Sequence, residues 1–145
     1  MSNINHVFSV LGVMSGTSLD GLDLAHILFK KSDDIWSFDL KKFETVPYSR
    51  KHLIFLKKTY EGKIDIKTSD IYFGEIISKY IERFALKNQI KYDLISSHGH
   101  TIFHNPDEGF SIQIGSGEVI SRKLSKTVVC NFRQHDINLG GQGAP

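Results

Sequence analysis

Alternation of apolar and polar positions predicts three strands at the start of the chain. Residues 7–14 are apolar on both alternating faces, which is typical of a strand buried on both sides. After a small, polar turn over 15–21, residues 22–29 resume a strand pattern, and 36–40 alternate like a half-exposed strand. Because parallel neighbours need a long crossover, these short connections predict an antiparallel meander.

The rest of the chain predicts helices interleaved with further strands. Ser49 can cap a helix over 50–60 that Gly62 ends, and a second helix is predicted to start after residues 68–70 and to end near 87–88. The remaining predicted elements are a buried strand, an alternating strand, a short helix and a final strand, over 92–97, 110–114, 117–124 and 127–132. Strands packed with crossover helices predict an α/β domain.

Composition narrows the class of protein. The chain has 145 residues, 40% of them hydrophobic, with 18 Lys and Arg against 16 Asp and Glu. This is the length of one domain with a sizeable core, and no dense basic block indicates a nucleic-acid partner. The single cysteine, Cys130, forms no internal disulfide, and no apolar run approaches the ~18 residues of a membrane span. We therefore expect a cytoplasmic domain that binds neither nucleic acid nor membrane.

The first strand-to-strand turn is the first candidate for chemistry. Its glycines and hydroxyls allow close approach to a phosphate chain and let turn amides point at it. Asp20 and Asp23 would repel phosphate unless a divalent cation lay between them. The alternative is an ordinary hairpin turn in which Asp20-Gly21 supplies the positive φ. The candidate segment is Gly16, Thr17, Ser18, Leu19, Asp20, Gly21, Leu22 and Asp23.

Three of the seven histidines, His98, His100 and His104, follow the predicted strand 92–97. They could bind a metal, as in a metal-dependent hydrolase, although no acidic or cysteine ligand accompanies them at useful spacing. They could instead contact a polar ligand, because α/β proteins commonly bind ligands where strands end. Ordinary loop histidines are the third interpretation.

A further polar segment follows the last predicted strand. Arg133 is a fork-shaped donor suited to a carboxylate or a phosphate, and Asp136 could orient it or bind a sugar hydroxyl. The alternative is an exposed salt bridge of little energetic weight. The glycine-rich residues 139–145 resemble a loop that connects two ordered elements. We therefore expect residues 1–145 to be cut from a longer protein.

In their order and spacing these motifs resemble the anhydro-N-acetylmuramic acid kinases. The matching stretches are 12–23, Ser97-His98-Gly99 with Thr101, His104 and Pro106, 113–115, and Phe132-Arg133 with Asp136 and 140–145. The resemblance implies the N-terminal domain of the actin-like ATPase (ribonuclease H-like) fold, a mixed sheet with the antiparallel three-stranded meander plus flanking helices. It also implies a second domain, absent from this chain, with ATP bound in the cleft between the two.

The resemblance also implies a reaction. Family members use ATP to phosphorylate the 6-hydroxyl of 1,6-anhydro-N-acetylmuramic acid while water opens its intramolecular bridge, which yields N-acetylmuramic acid 6-phosphate in bacterial cell-wall recycling. ATP and Mg²⁺ are the implied cofactors, the amino sugar is the implied substrate, and a homodimer of the full-length protein is allowed. Residues 16–23 would form the ATP phosphate loop, with Asp20 and Asp23 acting on Mg²⁺ directly or through water. The implied sugar-side residues are His98, Thr101, Arg133 and Asp136.

The chain departs from the family pattern at three positions. His100 stands where the family commonly has glutamine, Asn131 where it has an acidic residue, and His135 where it has an arginine. Losing that arginine removes a permanent charge and a bidentate fork, so we expect weaker sugar binding. The family's general base lies beyond residue 145, so we expect this chain alone to be inactive. A non-catalytic nucleotide- or sugar-binding remnant is the alternative hypothesis.

Overall fold

The computed structural model describes residues 6–32 and 34–144, which form a mixed six-stranded sheet and four α-helices. The strands are β1 (His6–Ser15), β2 (Gly21–Ser32), β3 (Ile35–Pro47), β4 (Leu94–Asn105), β5 (Phe110–Ile114) and β6 (Thr127–Val129). The helices are α1 (Arg50–Tyr60), α2 (Ile66–Lys87), α3 (Gly117–Leu124) and α4 (Phe132–Asn138), and a 3₁₀ turn covers Pro106–Glu108.

The sheet has the order β3-β2-β1-β4-β5, and β6 pairs with the first part of β4. Strands β1, β2 and β3 are antiparallel neighbours, whereas β4 runs parallel to both β1 and β6. Strand β5 turns back antiparallel to the second half of β4. The predicted α/β class and the predicted meander are therefore confirmed.

The hydrophobic core lies between one face of this sheet and the helices α1, α2 and α3. Leu11 and Leu24 from the meander are almost fully buried there, as are Phe73 and Ile77 of α2. Each such side chain contributes about 1.5–3 kcal/mol on burial. On the opposite face of the sheet, β3 has large exposed side chains, including Phe38, which is 73% exposed. No described helix is both long and apolar enough to cross a bilayer.

Helix α1 begins where the sequence predicted, but α2 begins a turn earlier. The Ser49 hydroxyl accepts the His52 N–H at 3.3 Å, which confirms the predicted cap of α1. Helix α2 is capped by Asp65, whose Oδ1 accepts the Thr68 N–H at 2.9 Å. The prediction that residues 68–70 precede this helix was therefore wrong, because Asp65 already satisfies its first turn.

Two strand ends also differ from the prediction. Strand β4 continues past residue 97 to Asn105, because β5 folds back and provides hydrogen-bonding partners for it. The histidines therefore lie within a strand and not in a loop after it. Strand β6 stops at Val129, and Asn131 adopts a left-handed conformation (φ 62°) that starts α4. The predicted strand end at residue 132 was wrong for that reason.

Candidate functional site

The turn between β1 and β2 is closed by its own backbone and by a carboxylate. The Leu19 N–H donates to the Gly16 carbonyl at 3.2 Å, and Leu19 has a positive φ of 59°. Asp20 Oδ1 accepts the Ser18 hydroxyl at 2.7 Å and the Gly21 N–H at 3.1 Å. The hydrogen bond from Ser18 is the main cause that lowers the pKa of Asp20, so this exposed carboxyl is ionised at neutral pH.

Gly21 and Asp23 continue the turn into β2. A Cβ atom on Gly21 would lie 2.6 Å from the Val46 carbonyl oxygen, so only glycine lets β2 leave the turn this close to β3. Two residues later, Asp23 Oδ1 accepts the Thr45 hydroxyl at 2.5 Å. The second acid of the predicted loop is therefore held in place by the neighbouring strand.

Directly behind this turn, three buried polar residues form a hydrogen-bond network. The Tyr48 hydroxyl donates to Ser15 Oγ at 2.6 Å, and Ser15 Oγ lies 2.8 Å from His100 Nδ1. All three are less than 9% exposed. Burial raises the pKa of Tyr48 to about 12 and lowers the pKa of His100. Sequence reasoning missed Ser15 and Tyr48 as partners, because 33 and 85 residues separate Ser15 from the two side chains it meets.

His98 and Arg133, predicted separately, contact each other. Arg133 Nε donates to His98 Nε2 at 2.7 Å, while His98 Nδ1 lies 3.0 Å from the Gly99 carbonyl oxygen and donates to it. Burial is the main cause that lowers the pKa of His98, and the Arg133 charge adds to it. The ring is thus neutral and accepts from the guanidinium. Arg133 Nη1 also donates to the Gly143 carbonyl at 3.3 Å.

Asp136 binds the glycine-rich segment that follows α4. Its Oδ2 accepts the Gly143 N–H at 2.8 Å. A Cβ atom on Gly141 would overlap this carboxylate, so the segment passes close to Asp136 only because glycine stands there. Pro145, the last residue of the motif, lies outside the described residues.

The site residues are divided between different concave surfaces. Asp23 and His98 line a cavity of about 380 Å³ together with Phe132. On its other side, His98 borders a cavity of about 610 Å³ that Ser97 also lines. The Ser97 hydroxyl is buried and has no hydrogen-bond partner among the residues that the structure describes. Thr101 lies elsewhere, in a groove of about 780 Å³ against α1.

That groove brings Thr101 close to two residues of the predicted phosphate loop, Thr17 and Leu19. The Thr101 hydroxyl accepts the Gln113 side-chain amide at 3.4 Å. The structure therefore groups Asp23, His98 and Arg133 on one side of the sheet end, and Thr101 with Thr17 and Leu19 on the other.

The three clustered histidines do not converge on one point. His98 meets Arg133, His100 meets Ser15, and His104 Nδ1 lies 3.0 Å from the Ser111 hydroxyl. Within 6–32 and 34–144, no three side chains of the metal-ligating types lie close enough together to hold an ion. These divergent contacts argue against the histidine-centred hydrolase.

The two loop carboxylates have the donor set that Mg²⁺ takes from proteins. Among the residues that the structure describes, only Oδ1 of Asp20 and Oδ1 of Asp23 accept hydrogen bonds, which leaves the Oδ2 of each carboxylate for a ligand. Mg²⁺ usually takes one or two protein carboxylates and completes its shell with phosphate oxygens and water. Two acids beside a turn rich in backbone N–H groups fit a magnesium-bound phosphate chain.

The meander, the parallel β4 and the flanking helices together define the class of protein: the N-terminal domain of the actin-like ATPase fold, as the sequence predicted. The family is more specific. The chain belongs to the anhydro-N-acetylmuramic acid kinase family, whose family model matches residues 8–145.

Curated proteins named anhydro-N-acetylmuramic acid kinase align with nearly the whole chain. The Sulfurimonas denitrificans protein is 39% identical over 145 residues, which cover 93% of this chain and 38% of that protein. The Pelagibacter ubique protein is 36% identical (95% and 39% covered), and the Rhizobium etli protein 33% identical (96% and 40% covered). The chain therefore spans about two-fifths of the length of the curated relatives it matches.

Proposed function

We propose that residues 1–145 are the N-terminal domain of an enzyme that phosphorylates 1,6-anhydro-N-acetylmuramic acid with ATP and Mg²⁺ while water opens the anhydro bridge. The product would be N-acetylmuramic acid 6-phosphate, formed in the cytoplasm during peptidoglycan recycling. The observation that carries the proposal is the turn 16–20, with its pinned, ionised Asp20 and with Asp23 beside it, in a chain of this family. A homodimer of the complete protein belongs to the same proposal.

The turn 16–20 and Asp23 are proposed as the ATP side of the site. Phosphoryl transfer mostly requires alignment of the reacting groups and neutralisation of charge on the transferring oxygens, and Mg²⁺ supplies part of that neutralisation when bound. The protein's own contribution is positional. The Leu19 and Gly21 amides hold the turn closed, the ionised Asp20 presents its Oδ2 at the end of the turn, and Asp23 presents its Oδ2 from the start of β2.

Arg133 is proposed as the main anchor on the sugar side. Its bonds to His98 and to the Gly143 carbonyl use Nε and Nη1 and so fix the plane of the guanidinium. The remaining Nη2 can donate to a carboxylate such as the lactyl group of the sugar. Asp136 is proposed for the same side as Arg133, and Thr101 is proposed to reach the sugar from the groove that it shares with Thr17 and Leu19.

The chain alone is expected to be inactive, because the family's general base lies outside it. The test incubates this chain and the complete protein, each with ATP, Mg²⁺ and 1,6-anhydro-N-acetylmuramic acid, and follows the products by mass spectrometry. We expect the 6-phosphate of the ring-opened sugar from the complete protein and none from residues 1–145. Product from the short chain would contradict the assignment of the base, and no product from either would contradict the proposed reaction.

A non-catalytic binding protein is the second candidate. Asn131 and His135, which replace an acid and an arginine of the family pattern, are both exposed around the start of α4, near Arg133. Binding of nucleotide and sugar by the complete protein without any turnover would favour this candidate over the kinase.

A further inference from the structure

We propose that His100 and Tyr48 are positioning residues for the turn 16–20: they hold the Ser15 hydroxyl between them and so fix the end of β1 from which the turn starts. That this turn binds the phosphate chain of ATP rests on the proposed function. Neither side chain is in the turn, and both come from distant parts of the chain, β4 and the β3–α1 connection.

If every hydroxyl proton of this network takes part in a hydrogen bond, only one assignment of donors and acceptors is possible. Tyr48 O–H donates into Ser15 Oγ, so the proton of Ser15 is left to donate elsewhere, and His100 Nδ1 is the acceptor within reach at 2.8 Å. His100 must then be neutral and carry its proton on Nε2. A buried network with all its members satisfied is rigid, whereas one with two donors facing each other is not.

The rigidity of this network matters at Ser15, because the turn 16–20 starts from that residue. The pairing of β1 with β4 is regular as far as Val13 and Ser97, then shifts register and resumes at Ser15 and His100. Ser15 is also the last residue of β1, so its position sets the origin of the turn. Strand β2 pairs regularly with β1 through Ser15, whereas the pairing with β4 shifts register between Val13 and Ser15. The bonds of the Ser15 side chain to Tyr48 and His100 therefore add a lateral restraint where the pairing with β4 is irregular.

Protonation of His100 is expected to release this restraint. Burial lowers the pKa of His100; the Ser15 carbonyl opposes that shift, and the His98 ring adds to it. A lowered native pKa means that the stabilisation is present above about 6.5 and is lost as pH falls through the native value. The ring of Phe73 in α2, which carries no charge, meets the His100 ring edge-on, with 6.0 Å between the ring centroids. The titratable groups that face His100 or share its groove are Tyr48, Lys57, Tyr60, His98 and His104.

The test compares His100→Leu, His100→Gln and Tyr48→Phe with the wild type in the complete protein. Its first readout is the hydrogen-exchange protection factor of the Leu19 and Gly21 amides at pH 7.5 and at pH 5. We expect His100→Leu and Tyr48→Phe to lower protection about fivefold at pH 7.5, the effect of losing one net hydrogen bond. His100→Gln should keep protection, since its amide oxygen can accept the Ser15 proton. It should also remove the dependence of protection on pH that titration of His100 causes.

His26→Leu is the matched control. His26 Nε2 lies 2.8 Å from Ser9 Oγ, which is the same kind of serine–histidine pair on the same strand but at the end away from the turn. It should leave the protection of Leu19 and Gly21 unchanged. Equal loss in His26→Leu and His100→Leu, or full protection in Tyr48→Phe, would overturn the inference. The Tyr48→Phe result decides it even if His100→Leu does not fold.

A second readout, the dissociation constant for ATP with Mg²⁺, separates this inference from the proposed function. We expect His100→Leu to weaken nucleotide binding about fivefold and His100→Gln to restore it. A wild-type protein that binds no nucleotide would contradict the proposed function, while the protection factors would still decide the role of His100. Lost protection with unchanged nucleotide affinity would overturn the link between the two.

Discussion

At the scale of single residues, the site depends on side chains whose protonation is set by a neighbour. His98 is half-buried beside Arg133 and stays neutral, so it accepts from the guanidinium and does not repel it. Asp20 is held ionised by the Ser18 hydroxyl. The Arg133 guanidinium on the proposed sugar side and the Asp20 carboxylate on the proposed ATP side therefore carry opposite charges.

Replacing Arg133 with lysine is expected to weaken sugar binding selectively. Lysine keeps the charge but loses the planar fork that bonds His98 and Gly143 and leaves Nη2 for a ligand. A charge-assisted hydrogen bond of about 1.5–3 kcal/mol corresponds to a roughly 10- to 100-fold rise in KM for the sugar. Steady-state kinetics of the complete protein should show KM for ATP within about twofold of wild type.

The control for this substitution is Arg122→Lys, which changes an exposed arginine in the last turn of α3. It should leave both KM values unchanged. An equal effect of Arg133→Lys on the two substrates, or none on the sugar, would contradict the assignment of Arg133 to the sugar side.

At the scale of elements, the sequence pattern predicted the helices that depend on nearby residues, but not the elements that depend on distant strands or on a single unusual backbone conformation. The helix over 50–60 follows from Ser49 and its apolar period, and the short helix over 117–124 was predicted with the bounds that α3 has. The length of β4 was not predictable in this way, because β5, whose pairing extends it, lies later in the chain. The helix α4 was missed because a single left-handed residue, Asn131, ends the strand before it.

Gly99 shows how β4 changes course at the site. It has a positive φ of 71°, and a Cβ atom there would overlap the Ile114 carbonyl oxygen. We expect Gly99→Ala to lower the free energy of unfolding by about 2–4 kcal/mol, because it adds a clash to about 1 kcal/mol or more of backbone strain. Thermal and urea unfolding measure the loss.

Gly109→Ala separates the clash from the strain. Gly109 has a similar φ of 80°, but nothing lies within 4 Å of a Cβ atom at that position. It should cost only the backbone term of about 1 kcal/mol. Equal destabilisation by the two substitutions would show that the close approach of β4 to β5 at Gly99 is not what requires glycine.

At the scale of the whole molecule, the sheet gathers distant motifs at one end. The turn after β1, the middle of β4 and the start of α4 meet there, so Asp23 and His98, 75 positions apart in the sequence, border one cavity. The order of the motifs predicted the fold and the family through a resemblance. It could not predict which side chains touch, since the pairs Ser15–His100 and His98–Arg133 depend on register across strands.

The central claim is that the turn after β1 holds a magnesium-bound nucleotide phosphate chain. Its most direct test is calorimetric titration of the complete protein with a non-hydrolysable ATP analogue, with and without Mg²⁺, in the wild type and in Asp20→Asn, Asp23→Asn and Asp107→Asn. Asp107 is an exposed acid in the 3₁₀ turn and serves as the control. We predict Mg²⁺-dependent binding that either loop substitution weakens at least about tenfold, the loss of one ionic ligand contact, and that Asp107→Asn leaves unchanged. Binding that is the same in all four proteins, or independent of Mg²⁺, would contradict the claim.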